Sequence, residues 1–182
     1  EDGKIIHIHK KVYLPDYTMF EEARYFAAGK SFKSFDTKFG RTGILLCEDA
    51  LHTSSLYILS QSGVRNVIVM SNSPARGVLG EAHQAEEIWN VSNRYSATIL
   101  TVNLIFVNRV GVEDGVCFWG GSEAYTALGE RAVALKRFEE DSGCADIDMT
   151  SIRRARILNP FFRDEKSFIL RDFLIKGGCG EA

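Results

Sequence analysis

The chain has 182 residues, 45% hydrophobic and 25% charged, and its 22 basic against 24 acidic side chains leave a formal net charge of −2, which suits one globular unit and offers no basic field for nucleic acid. Its four cysteines, Cys47, Cys117, Cys144 and Cys179, include no C-x-x-C pair and have no histidine at zinc-ligand spacing, so neither a zinc site nor a disulfide framework is indicated. The polar start is unlike a cleavable signal and no apolar run approaches the roughly 20 residues of a membrane span, so the expectation is a reduced, cytoplasmic protein with no membrane or nucleic-acid partner.

In chain order, Asp2-Gly3 and the alternation of Ile5, Ile6, His7, Ile8 and His9 predict a turn leading into a strand over Lys4 to His9. Such a strand needs a partner before residue 1, so the sequence is expected to begin within a domain. Asp16 to Gly29 reads as loop with a short helical turn. Ser34 to Thr37 and a strand ending at Cys47 read as a hairpin that feeds a buried strand. Leu51 to Ser62 has helical spacing and stops at Gly63, and Val67 to Met70 is a continuous apolar strand. Strand, helix and strand make a βαβ unit. Ser71 to Gly77 reads as a loop leaving the carboxyl end of the second strand, where sites tend to sit in α/β layers.

The longest predicted helix runs from about Glu81 to Ser96 and returns as a strand over Thr98 to Val102, a second βαβ step. From Asn103 the glycine turns at Gly111, Gly115, Gly120-Gly121 and Gly129 predict an antiparallel meander ending at Arg131 to Leu135. Ala145 to Met149 reads as one more strand, Thr150 as the cap of a helix through Arg156, and Pro160 as its limit. The tail, Phe161 to Ile175, has no clear apolar face. Trp89, Trp119 and Tyr125 line a pocket or an interface, or belong to the core, the more common place for aromatic residues.

Cys47 closes the apolar run Gly43 to Leu46 and opens the polar pair Glu48-Asp49. A cysteine there is most often a small core hydrophobe. At a strand-to-helix turn, however, free N–H groups and the positive end of the helix dipole favour thiolate over thiol, which makes Cys47 a candidate nucleophile. Lys10-Lys11 and Glu21-Glu22 upstream read either as surface charges or as the cation and carboxylate such a nucleophile uses.

Taken together, Lys10-Lys11-Val12-Tyr13-Leu14, Phe20-Glu21-Glu22, Cys47-Glu48-Asp49, Asn108-Arg109-Val110-Gly111 and Phe118-Trp119-Gly120-Gly121-Ser122 resemble, in order and spacing, the nitrilase or carbon–nitrogen hydrolase superfamily. The resemblance covers nearly the whole chain. It implies an α/β fold, the four-layer α-β-β-α sandwich, with residues 1–182 as the carboxyl-terminal two thirds of a carbon–nitrogen hydrolase domain. It also implies a Glu-Lys-Cys triad with Cys47 as nucleophile, Lys11 as the cation beside the developing oxyanion and Glu22 as the carboxylate that orients Lys11. The Glu48 backbone N–H would be a second oxyanion donor, and Ser73 and Arg76 would contact substrate, Arg76 as a carboxylate clamp. The general-base glutamate of the family lies near the start of the domain, before residue 1 of this chain.

The resemblance further implies hydrolysis of a small linear amide or N-carbamoyl compound, with no metal or organic cofactor and a homo-oligomer, dimer or higher. Glutamic acid after the cysteine sides with the amide hydrolases. A nitrilase acting on nitriles, a glutaminase-type ammonia producer and a non-catalytic homologue serving as an interaction scaffold remain the alternatives.

Overall fold

The computed structural model describes residues 1–76, 78–79 and 82–176, without the side chains of residues 78, 79, 82 and 83; the expected positions Gly77, Glu81 and Cys179 lie outside the described residues. Its frame is a six-stranded mixed sheet. A hairpin of β1 (Ser34–Thr37) and β2 (Gly40–Leu46) leads through a 3-10 turn, Cys47–Leu51, into α2 (Thr53–Gln61), which follows the single-turn α1 (Glu22–Tyr25) in chain order. β3 (Asn66–Ser71), the short pair β4 (Val78–Leu79) and β5 (Ala82–His83), α3 (Gln84–Ile99) and β6 (Asn103–Asn108) complete two βαβ steps. β7 (Val110–Glu113) and β8 (Val116–Trp119) form a separate hairpin, and β9 (Glu123–Tyr125) and β10 (Arg131–Ala134) return to the main sheet, ordered β1-β2-β3-β6-β9-β10. α4 (Ser151–Leu158), α5 (Phe161–Asp164) and α6 (Ser167–Ile175) close the described chain.

β2, β3 and β6 run parallel, in a register that aligns Gly43 with Val67 and Leu104, and Leu45 with Val69 and Phe106. Because side chains alternate along a strand, these aligned positions share one face. Leu45, Val67, Val69, Leu104 and Phe106 are fully buried there, beneath Leu56 and Leu59 of α2 and Trp89 and Ala97 of α3. The other face carries Met70 and Val107, both exposed. Gly43 lets α2 settle close: a Cβ at this position would stand 2.7 Å from Leu59 Cδ1. Trp89, Trp119 and Tyr125 are all core residues.

Three expected strands are not formed. Lys4 to His9 finds no ladder partner among the described residues; His7 and His9 instead stack on Phe35 and Phe32, while Ile5 and Ile8 stay exposed. Thr98 to Val102 is the end of α3 and its turn. The Leu100 N–H still bonds to the Ser96 carbonyl and the Val102 N–H to the Ala97 carbonyl, with Thr101 left-handed at φ +50°. That is a Schellman-type ending built on threonine where glycine is usual, so the stop signal is absent from the sequence. The strand begins at Asn103 as a central parallel member rather than part of a meander. Ala145 to Met149 runs without ladder bonds, and the Thr150 hydroxyl bonds to the Asp148 carboxylate instead of capping α4. The hairpin after β6 does follow its turn signal: Asp114-Gly115 sits at φ +49° and +78°, as a two-residue type I′ connection requires.

Candidate active site at the carboxyl edge of the parallel strands

The ends of β2 and β3 meet in a cavity of about 520 Å³ whose walls include Lys11, Glu22, Cys47, Glu48, Ser71 and Arg76. Cys47 is the first residue after β2 and adopts φ +46°, a left-handed conformation unusual for a residue with a Cβ. The turn that follows is five residues of 3-10 helix, so any dipole at Cys47 is that of a short turn rather than of α2. Glu48, second in that turn, keeps its N–H outside the turn's own ladder. The parallel register places Leu46 beside Met70, and one residue further on the Ser71 hydroxyl donates to Cys47 Sγ at 3.4 Å. Ser71 is a contact that sequence reading missed; its signal was only that two parallel strands end together.

Lys11 Nζ donates to both carboxylate oxygens of Glu22 at 2.7 Å, so the two residues proposed from the sequence as cation and orienting carboxylate are joined. Neither is free on a solvated surface, the side chains being 14% and 28% exposed. Lys11 sits on irregular chain before β1 and Glu22 opens the single-turn α1, and Asp49 fastens the lysine segment to the nucleophile turn. Fully buried, Asp49 accepts from the Val12 and Tyr13 N–H groups at 2.9 Å, from His9 Nε2 at 2.8 Å and from the Leu46 N–H at 3.3 Å. Burial alone would raise the Asp49 carboxyl, but the donations from His9 and from the three backbone N–H groups outweigh it and hold the carboxyl below the usual carboxylate range. The sequence reading gave Asp49 no role beyond membership in the cysteine motif.

Glu48 directs its carboxylate into the cavity wall, where the Tyr17 hydroxyl donates to it at 2.7 Å and His52 Nε2 stands 3.7 Å away. Burial, and then this bond and the charge of Glu48, raise the Tyr17 phenol above its ordinary value. Arg76, exposed at the rim, lies over the rings of Tyr17 and Phe20 at 5.8 Å and has no carboxylate partner among the described residues. Ser73 lines the cavity, but its hydroxyl accepts from Trp89 Nε1 at 3.0 Å, so it is engaged in holding the wall. The asparagine and glycine motifs support that wall from behind. Asn108 Oδ1 accepts from the Ser73 N–H at 2.9 Å and Asn108 Nδ2 donates to the Gly120 carbonyl at 3.1 Å, while the Asn108 N–H donates to the Ser122 hydroxyl at 3.0 Å.

A thiol, an ammonium held by a carboxylate and a free turn N–H around one cavity make an arrangement able to attack a carbonyl carbon and stabilise its oxyanion. The chain is also similar to known proteins over most of its length. The family model for carbon-nitrogen hydrolase matches residues 1–157. The glutamine-dependent NAD(+) synthetase of Acinetobacter baylyi is 29% identical over 157 residues, 86% of this chain and 28% of that protein. Its Synechocystis counterpart is 31% identical over 83% of this chain and 28% of its own length, so the chain spans little more than a quarter of these relatives. The crystal structure of a carbon-nitrogen hydrolase from Helicobacter pylori G27 superposes with a TM-score of 0.84 at 28% identity, covering 95% of this chain and 62% of that one. The chain belongs to the carbon-nitrogen hydrolase family.

Proposed function

We propose that the protein hydrolyses a non-peptide C–N bond in a small linear amide or N-carbamoyl compound through a thioester on Cys47. The observation that carries this reading is the Lys11–Glu22 clamp in the same cavity wall as Cys47. In the proposed sequence Cys47 Sγ adds to the carbonyl carbon, the oxyanion is met by Lys11 Nζ and the Glu48 N–H, and the amine or ammonia leaves with a proton. Water then attacks the thioester carbon and releases the acid. No acid or base step is assigned to Glu22, which is clamped on Lys11, or to Glu48.

Arg76 and Glu48 support a substrate that carries charge away from the scissile carbon, a carboxylate toward Arg76 and an amino group toward Glu48. The ω-amide of an amino acid has both, as the names of the glutamine-dependent relatives suggest for those proteins. Self-association and a cytoplasmic location go with this proposal; among the described residues no helix is long and apolar enough to cross a membrane.

The test is ammonia release by the full-length protein from glutamine, simple amides, carbamoyl amino acids and nitriles, with intact mass read in parallel. The expected result is release from an amide with an acyl adduct on Cys47, and loss of both in Cys47→Ala. Ammonia from nitriles alone would replace the proposal with the nitrilase alternative, and an unreactive Cys47 with every substrate would favour the scaffold.

A further inference from the structure

A second cavity, about 630 Å³, lies at the opposite edge of the sheet between the amino end of β3 and the helices α4 and α5. Arg65, Arg153, Arg156 and Arg163 line it with no acidic residue among its walls, in a chain whose formal charge is −2. Only Arg163 has an ion-pair partner among the described residues, Asp164 at 2.7 Å. Arg156 is half-buried: one Nη donates to the Val64 carbonyl at 2.8 Å and the guanidinium lies 4.8 Å over the Phe162 ring, but its Nε is buried with no partner. Burial, and after it the like charge of Arg65, pull the Arg156 guanidinium below its ordinary value. An uncompensated cation of this kind is costly unless an anion completes it. Two acidic groups close to it in sequence are occupied: Asp148 accepts from the Thr150 N–H and hydroxyl, and Asp164 pairs with Arg163.

We propose that this cavity binds a small phosphate-bearing molecule, with Arg65, Arg153 and Arg156 on the phosphate and Met149, Ile152 and Phe162 against its carbon skeleton. Planar guanidinium forks match phosphate oxygens in pairs, and several cations around one concavity select a dianion over a monoanion. The volume is that of a small-ligand pocket rather than of a flat protein interface. Arg65 precedes β3 and Ser71 ends it, so at ~3.3 Å per residue the two cavities lie roughly 20 Å apart and their ligands do not compete. The inference is therefore independent of the chemistry proposed for Cys47.

Calorimetric titration of the full-length protein with inorganic pyrophosphate, and with a sugar monophosphate, against chloride at matched ionic strength tests it. Saturable binding is expected for both phosphates, weakened about tenfold or more in Arg153→Gln and in Arg65→Gln. These exposed side chains anchor nothing in the fold, so unchanged unfolding midpoints without ligand are expected beside the loss. Alkylating Cys47 should leave the phosphate isotherm unaltered. No saturation at millimolar phosphate, equal binding by the arginine variants, or binding abolished by Cys47 alkylation would each overturn the proposal. Capture of a poly-glutamate peptide where neither phosphate binds would also overturn it, showing a seat for an acidic protein segment.

Discussion

Asp49 shows how one buried carboxylate can govern a site it does not line. Its four donors come from the His9 ring, two consecutive residues next to Lys11, and the last residue of the nucleophile strand. In Asp49→Asn the amide oxygen can still accept from Val12 and Tyr13, but the NH₂ then faces two donors, which should cost about 2 kcal/mol of stability. The pH dependence has a definite sign. A carboxyl depressed in the folded state contributes stability above its unfolded value, about 3.9, and loses it as the pH falls through the lower folded value. Denaturant midpoints of the two proteins should therefore differ fully at neutral pH and converge below about pH 4. At Lys11 the prediction is chemical: under the proposed mechanism Lys11→Ala lowers kcat by about 100-fold or more. Lys11→Arg should not restore it, because a planar fork replaces a point charge bonded to both oxygens of Glu22.

Elements whose residues and neighbours agree were legible from the sequence. β3 and α2 follow from an apolar run and a helical spacing bounded by Gly63, and the hairpin β7-β8 from Asp114-Gly115. Those that failed were decided elsewhere in the chain. The alternation of Ile5 to His9 favours a strand, yet a strand exists only where a second one offers ladder groups. Thr98 to Val102 looks extended because of its β-branched residues, yet α3 is carried through Ile99 by packing of Trp89, Asn93 and Ala97. Contact between elements also sets tolerance to change. Gly43→Ala would push a methyl group into Leu59, which packs against β2 in the core, so a loss of about 1–3 kcal/mol is expected from thermal or denaturant unfolding. A Leu59→Ala background should relieve part of that cost.

Across the whole molecule, polar groups sealed between α3 and β9 form a second titrating centre. Glu123 accepts from Asn93 at 3.0 Å and from the Tyr125 hydroxyl at 2.9 Å, and burial, opposed by these bonds and by Arg131, leaves its carboxyl raised. Burial, and then the Glu123 charge and hydrogen bond, push Tyr125 up to about 12. A phenol raised in the folded state contributes stability below its unfolded value, about 10, and loses it as the pH rises through the folded one. Stability should therefore fall between about pH 10 and about 12, and Tyr125→Phe should flatten that limb while losing one hydrogen bond at neutral pH. Phenolate absorbance followed beside unfolding checks it; a Tyr125 that ionises near 10 without loss of structure would contradict the burial argument.

The sequence by itself determined the family, the order of the motifs and the identity of Cys47, Lys11 and Glu22 as one candidate set, because those rest on residue types at characteristic spacings. It also determined the central βαβ frame, since apolar periodicity is a local property. Only the tertiary structure decided that Lys11 is clamped by both oxygens of Glu22, that Ser71 donates to Cys47, that Asp49 ties the lysine segment to the cysteine turn, and that Arg65, just before β3, shares a cavity at the opposite edge with arginines of α4. Each of these joins residues distant in sequence. Strand register and the packing of irregular chain bring them together, and neither leaves a periodic signature in the amino acids themselves.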